Sequence, residues 1–394
     1  MKPIQRIALY LLFFSINFEV WDPFNTSGFF SISKLMGFIY LITMVPLIVS
    51  FVTRDEMKPF LRPVLFFFGL LTLINLFNIN STMHNFLDIS IFQNIILFYI
   101  LINHESLDQL ILEKGMLSFA LGSIAIALLF TAGIGIGYSP GDRVSIFGDN
   151  QNAIGIRMCI SILILIFAAI QNPLQIGKIR FLLLLPIPIM VQLLVVSASR
   201  TAMLSFILAF LSGILLLKTK KLWSKIVMIT IVASLFIFVW LFMMQSEVLS
   251  LRLLSSLQEG DLSGRDIIWQ RILPLIKENP FFGIGTIGYA NFSQTTFGMY
   301  NSPHNVFLEV LCYTGIVGLF IYLIFLYRIL MKSLQLYKTK KMLLPLLLLV
   351  PVIGILASGQ ILSIKTGWII FAYIAGSYVN SPKSGTVKVI ENLI

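Results

Sequence analysis

The stretch from Arg180 to Leu217 reads RFLLLLPIPIMVQLLVVSASRTAMLSFILAFLSGILLL. It holds two apolar runs, 180–197 and 201–217, divided only by Ser197-Ala198-Ser199-Arg200. The hydrocarbon core of a bilayer, about 30 Å thick, needs about 20 apolar residues in helical form. Two runs of that size back to back read as two membrane helices joined by a tight turn, with an arginine left at the membrane surface. The pattern continues in both directions. Ten further runs lie at roughly 4–20, 31–52, 60–79, 86–103, 116–138, 153–170, 225–246, 304–327, 343–357 and 361–379. The expected fold is an all-α integral membrane protein with about twelve transmembrane helices.

Composition agrees. Of 394 residues, 58% are hydrophobic and 11% charged, against about 25% charged and 45–50% apolar in a soluble domain. A chain this apolar could not cover itself with polar surface, which excludes soluble, disordered and fibrous classes. The first run is short enough to resemble a signal peptide, but it has no small-residue cleavage site and runs into Glu19-Val20-Trp21-Asp22-Pro23, so it is read as a membrane helix. Cys159 and Cys312 both fall in apolar runs and read as small buried hydrophobes, not as a disulfide or zinc site.

The net charge is +11. In a soluble protein that would point to nucleic acid. In a membrane protein it is first a topology signal, because Lys and Arg are retained on the cytoplasmic side. One set of alternate segments holds 19 of the 28 positive residues, among them Arg6, Arg54, Lys58, Lys114, Lys178, Lys218, Arg328, Lys340, Lys341 and Lys383. This distribution predicts both termini in the cytoplasm and an even number of spans. The other set holds nine: Lys34, Arg143, Arg157, Arg200, Arg252, Arg265, Arg271, Lys277 and Lys365. The chain divides into 1–180 with helices one to six, 181–328 with helices seven to ten, and 329–394 with the last two helices and a cytoplasmic tail.

The central part contains a long outer loop, 247–303. Long loops in compact proteins are commonly functional. Ser263, followed three residues later by Asp266, is a helix-start signal. Ile268, Trp269, Ile272, Leu275 and Ile276 then recur at helical spacing, opposite Asp266, Gln270, Arg271 and Lys277. This predicts an amphipathic helix on the outer membrane surface, bent near Pro274 and ended by Asn279-Pro280. The stretch Gly283-Ile284-Gly285-Thr286-Ile287-Gly288 matches a dinucleotide fingerprint in letters only. It lacks the strand–turn–helix context, so it is read as turns that let backbone approach a neighbour.

Outer-face cations are not explained by orientation. Arg200 sits where two helices meet and Arg265 opens the amphipathic helix. Arg157 falls within the sixth span, and Lys365 near the outer end of the last. An ionisable residue in a membrane is a functional-site candidate by default, with snorkelling or interface anchoring as the plainer alternative. Guanidinium groups match phosphate through paired planar hydrogen bonds, so the group implies an anionic lipid headgroup such as a diphosphate. His84 and His104 lie in short loops and read as surface residues. His304 lies at the mouth of the tenth span, directly after the long loop. Asn305, Glu309 and Tyr313 follow at one-turn intervals and form a polar stripe on an apolar helix. A neutral imidazole there can take a proton from an attacking hydroxyl.

These places carry a family resemblance. Ser197-Ala198-Ser199-Arg200, Ser263-Gly264-Arg265-Asp266-Ile267-Ile268-Trp269, Asn279-Pro280-Phe281-Phe282-Gly283-Ile284-Gly285, and Pro303-His304-Asn305 through Gly315-Ile316-Val317-Gly318-Leu319 occur in this order. The segment 185–320 resembles the O-antigen polymerase and ligase family of bacterial surface-polysaccharide assembly. The N-terminal half resembles it mainly in hydropathy, with Phe18-Glu19 and Gly148-Asp149-Asn150. The resemblance implies an inverting, metal-independent glycosyltransferase without a cofactor, acting in the bacterial plasma membrane with its site facing outward. Its donor would be an undecaprenyl-diphosphate-linked oligosaccharide. Arg200 and Arg265 would hold the diphosphate and His304 would serve as base. Arg157, Asn305, Glu309, Tyr313 and Lys365 would support them.

Within the family a repeat-unit polymerase is the first expectation, and a ligase that moves finished glycan to a lipid A core or protein is the alternative. The implied partners are lipid-linked donor and acceptor, the bilayer, a chain-length regulator and a flippase, with no nucleic acid. From a different class, twelve spans with both ends inside also fit a transporter. A transporter should show repeat symmetry, and the long loop has no second copy.

Overall fold

The structure, a computed structural model, describes residues 3–24, 26, 31–77, 86–139, 143–216, 264–359 and 361–380, with 226, 230, 237 and 241. The rest of the expected ninth span at 225–246, the loop residues 247–263 with the helix-start residue Ser263, His84, and the tail beyond 380 lie outside the described residues.

Every other apolar run carries helix. α1 (Pro3–Ser15) continues as a 3₁₀ turn to Phe18. α2 (Ile32–Met44) likewise continues to Ser50. α3 (Lys58–Leu76), α4 (Phe86–Leu107), α5 (Ile111–Thr131) and α6 (Gln151–Gln171) follow. A 3₁₀ segment, Gly177–Leu184, leads into α7 (Ile187–Val196), and α8 (Arg200–Leu216) comes next. Beyond the undescribed stretch lie α9 (Arg265–Glu278), α10 (Gly285–Phe297), α11 (Val306–Lys340), α12 (Leu344–Ser358) and α13 (Lys365–Val379). Among the described residues, six helical segments are long and apolar enough to cross a membrane: 32–50, 58–76, 111–131, 151–171, 177–196 and 306–340. The protein is thus an all-α membrane protein.

α6 is buried along nearly all of its length and is the axis of the bundle. Its Gly155 lets it approach the turn between α7 and α8. A Cβ there would come within 2.8 Å of the Ser197 hydroxyl and the Ala202 methyl. Small residues that let backbones approach are how helices associate where lipid is as apolar as the side chains.

Polar contacts group the connecting segments into two sets. Arg6 pairs with Asp108, Arg54 donates to Asn380, and Gln171 donates to the Lys341 carbonyl. At the other end, Lys365 pairs with Glu19, and Arg157 donates to the carbonyls of Ile16 and Asn17.

Four expectations are corrected. His104, read as a surface residue in a short loop, is buried within α4 and hydrogen-bonded to the Tyr40 hydroxyl. The fifth apolar run, read as reaching residue 138, stops being helical at Thr131. A two-stranded antiparallel hairpin follows, β1 (Ile136–Ser139) with β2 (Arg143–Ile146). The glycines Gly133 and Gly135 at the junction take positive φ, which ends the helix cheaply.

The expected loop helix is present: α9 spans Arg265–Glu278 with Pro274 inside it. Its buried face, Ile268 and Ile272, rests on protein, so only part of its apolar surface, such as Ile267 and Leu273, is left exposed.

The glycine-rich stretch is not only turns, because α10 begins at Gly285 and contains Gly288. Gly283 and Gly285 do make the expected close approach: a Cβ on Gly283 would lie 2.5 Å from the Cys312 carbonyl oxygen.

The tenth span is broken. Gly315 takes φ 60°, ψ −162° inside α11, and the loop fills the gap. Ile284 N–H donates to the Cys312 carbonyl, while Ile316 N–H and Val317 N–H donate to the carbonyls of Pro280 and Phe281. Main-chain groups freed by a break inside a membrane protein must find partners in protein, and the loop backbone supplies them.

Candidate active site

Four helices begin at one cavity. Asn150 is the N-cap of α6 and its side chain accepts from the Asn152 N–H. Arg200 is the first residue of α8, and Arg265 the first of α9 behind the cap residue Gly264. His304 precedes Asn305, whose side chain caps α11 by accepting from the N–H groups of Phe307 and Leu308. Asn150, Arg200, Gly264, Arg265 and His304 all line a cavity of about 520 Å³, together with Arg143, Asn152 and Asn301. None of its lining residues is Asp or Glu. A helix N-terminus carries partial positive charge, and N–H groups there form ready anion sites. Three guanidinium groups and four helix starts therefore give this space a positive field.

The backbone around the site is held in unusual conformations. Ala198 and His304 both take positive φ, 48° and 50°. Left-handed backbone at a residue other than glycine costs energy and persists only where its surroundings enforce it. At His304 the surroundings are clear. The Trp269 indole donates to the Pro303 carbonyl at 2.9 Å, and the His304 N–H donates to the Ser302 hydroxyl at 3.2 Å. One step upstream, the Tyr289 hydroxyl donates to the Asn301 carbonyl, and the Asn301 N–H to the Ser293 hydroxyl. α9 and α10 thus clamp the turn that presents the imidazole.

Burial, and secondly the Arg265 charge, hold the His304 imidazole below its ordinary value, so it is neutral near pH 7. Burial and the neighbouring Arg200 likewise lower Arg265. A guanidinium remains charged at any physiological pH. Arg265 also donates to the Ser358 carbonyl at 3.5 Å, which places α9 against the end of α12.

His304 borders a second cavity of about 310 Å³. This one is lined by Ala153, Ile156, Arg157, Ile355 and Ile364 among others, and shares Asn150 and Asn152 with the first. The imidazole lies where a cationic space meets a more apolar one.

Of the supporting residues, Arg157 borders the second cavity and the others line neither. Arg157 lines the second cavity, but its guanidinium is engaged by the buried carboxylate of Asp149 and by two carbonyls at the end of α1. Lys365 pairs with Glu19 at 3.5 Å, and the same Glu19 oxygen accepts from the Lys365 N–H. Glu309 accepts from the Tyr313 hydroxyl at 3.1 Å, and Tyr313 in turn meets Tyr300 at 3.0 Å. Neither Glu309 nor Tyr313 lines either cavity. Asn305 is occupied as a helix cap.

Arg143 is a cavity residue that the sequence reading recorded only as an outer-face cation. It donates to the Asn152 side chain at 3.1 Å and to the Ser197 carbonyl at 3.5 Å. Its signal was the same as that of Arg200, a positive residue on the side where orientation gives no reason for one. Among the described residues, no group of three or more His, Cys, Asp or Glu is placed to hold a metal ion.

No curated protein matches the chain. Residues 185–323 match the family model described as O-antigen ligase. That segment holds Arg200, Arg265 and His304, and with them α7 to α10 and the broken first half of α11. Over that segment the chain is similar to the O-antigen polymerase and ligase family, which supports a membrane enzyme of surface-polysaccharide synthesis.

Proposed function

We propose that this protein polymerises lipid-diphosphate-linked oligosaccharide repeat units at the outer face of the plasma membrane. The observation that carries the reading is the shared cavity of Arg200, Arg265 and His304 at four helix N-termini. The family suggests a lipid-linked glycan donor, and in this reading its carrier is undecaprenyl diphosphate. The diphosphate lies between Arg200 and Arg265, with Arg143 completing the cationic wall. An acceptor sugar hydroxyl approaches His304 from the side of the second cavity. Its oxygen attacks the anomeric carbon as its proton passes to the imidazole. The bond from that carbon to the diphosphate oxygen breaks, and the electron pair leaves with the diphosphate. Attack opposite the leaving group inverts the anomeric centre. The guanidinium groups and helix termini stabilise the charge that grows on the diphosphate, as preorganised donors do for an oxyanion.

The family description favours a second reading, a ligase that transfers finished glycan to a different acceptor. The donor chemistry is identical. Purified protein given lipid-linked repeat unit alone separates the two. A ladder of lengths supports the polymerase, and donor consumption only after a foreign acceptor is added supports the ligase. If His304→Ala, present at the wild-type level in the membrane, still makes full-length product, the proposed base is wrong.

A further inference from the structure

The second cavity, of about 310 Å³, is at the small end of ligand sites, which span roughly 300–1,000 Å³. It suits a single sugar ring. Its walls are of two kinds. Ala153 and Ile156 on α6, Ile355 on α12 and Ile364 just before α13 are apolar. Asn150 and Asn152, at the start of α6, are polar. Of Asp, Glu, Lys and Arg, its lining holds Arg157 alone among the described residues, and that guanidinium is paired with Asp149.

The two asparagines carry the inference. The Asn150 side-chain oxygen accepts from the Asn152 N–H at 2.8 Å, and the Asn152 side-chain oxygen accepts from the Arg143 guanidinium at 3.1 Å. Both partners can only donate, which fixes the oxygen end and the nitrogen end of each amide. The nitrogen ends are uncommitted: neither has a hydrogen-bond partner among the described residues. Asn150 is exposed and Asn152 half-buried, so these amides are not sealed inside the protein. The cavity thus sets N–H donors beside an isoleucine wall and holds no carboxylate to compete for them. A carbonyl oxygen with a small alkyl group attached matches both features.

We propose that this cavity takes the N-acyl group of an acetamido sugar as acceptor. The acyl oxygen accepts from the amides of Asn150 and Asn152, and the acyl methyl lies among Ile156, Ile355 and Ile364. The inference rests on the proposed glycosyl transfer and names the substituent that sits beside the hydroxyl presented to His304. A plain hydroxyl in that place could accept from an asparagine but brings no methyl to the isoleucines. A free amino sugar brings positive charge and no acceptor for the N–H groups. A uronic acid brings acceptors together with a charge that the isoleucines would strip of water, which is costly. A deoxy sugar fills the apolar wall and leaves the donors unused.

The test has two arms, both on the full-length protein in detergent. In the first, saturation-transfer NMR compares methyl glycosides of glucose and galactose with their acetamido, amino and uronic acid counterparts. The acetamido sugars should bind about tenfold more tightly, the scale of one hydrogen bond with one buried methyl. In the second, the same sugars end lipid-linked acceptors that compete for lipid-linked repeat unit, and the same ranking should appear in transfer. Asn150→Asp keeps the helix cap, since Asp caps as well as Asn, and Asn152→Asp keeps an oxygen for Arg143. Each removes N–H donors, so the double variant should bring acetamido and hydroxyl sugars level. Comparing sugars within one variant cancels any change in donor binding. Equal binding of hydroxyl or uronic sugars by the wild-type protein overturns the proposal, as does an acetamido preference unchanged in the double variant. Transfer that falls equally for every acceptor in the double variant also overturns it and assigns the asparagines to the diphosphate. Transfer without an acetamido preference overturns the inference and spares the glycosyltransferase reading. An acetamido preference in binding, with no transfer to any acceptor, supports the acyl site and overturns that reading. Should a variant fail to fold, the wild-type ranking alone decides.

Discussion

Trp269 donates its indole N–H to the carbonyl of Pro303 across 2.9 Å, and so ties the helix that carries Arg265 to the turn that carries His304. The bond fixes the spacing of two groups that the proposed mechanism brings to the same substrate. Trp269→Phe keeps most of the ring area and removes the donor. A hydrogen bond is worth a net 0.5–1.5 kcal/mol, roughly, so glycan transfer should fall by about three- to tenfold, with little change in melting temperature. Rates from purified variants, set beside thermal unfolding in detergent, check this.

The pH profile follows from the state of His304. The proposed base acts only when neutral, so activity is expected to be lost as pH falls through its pKa. Burial and the Arg265 charge set that pKa below 6.5. The acidic limb of kcat/KM should therefore have its midpoint below pH 6.5. Arg265→Gln removes the like charge, which raises the imidazole pKa and moves the limb toward neutrality even as the rate drops. A limb that shifts down, or that survives in His304→Ala, contradicts the assignment.

Loss of a guanidinium from the cavity should be expensive. By analogy with removal of an oxyanion donor, Arg200→Ala and Arg265→Ala should each cost about 2.7–4 kcal/mol of transition-state stabilisation. Lysine should rescue poorly at either position, because it presents a point charge where a planar fork is needed. Arg143→Ala should also impair turnover, although sequence reading did not single it out. Initial rates with saturating lipid-linked donor measure all of these.

Arg157 should behave differently from the cavity arginines. Its buried partner Asp149 would be left uncompensated in Arg157→Met, and breaking a buried pair from one side costs about 3–5 kcal/mol. The expected phenotype is a lowered melting temperature and poor yield. Arg157→Met combined with Asp149→Leu should recover part of that stability. A catalytic role would instead leave the single variant stable and inactive.

The break in α11 gives a stability prediction. A Cβ on Gly315 would lie 2.2 Å from the Phe281 carbonyl carbon, at a φ of 60°. Gly315→Ala should therefore displace the loop backbone from the break and lower both melting temperature and activity. Limited proteolysis should then cut near Phe281 and Phe282, which are exposed already.

Much of this was legible in the sequence because bilayer thickness imposes a length on every apolar run, and eleven of the twelve runs fall on described helix. Arg200, Arg265 and His304 stood out for a similar reason, as polar groups where the membrane gives no cause for them. Arg143 carried the same signal, but the hairpin that brings it to the cavity has strands of four residues, too short to show a period. α10 was hidden by its glycines, which in sequence resemble turns but here admit backbone against α11. The stripe of Asn305, Glu309 and Tyr313 was correct as spacing. Its use was not legible, because a cap and a tyrosine pair are settled by what packs alongside. That Arg157 and Lys365 are held in ion pairs was not legible, because Asp149 and Glu19 meet them only in the fold.

The four helix starts around the cavity have a consequence for how the site can change over time. Part of its positive potential belongs to the main chain, and no single codon change removes it. Under the proposed function, side chains that read a particular sugar are therefore free to diverge while the hold on a carrier diphosphate persists. One scaffold can then serve many glycans, and inherited variation should concentrate on the sugar side of the cavity, away from the helix starts.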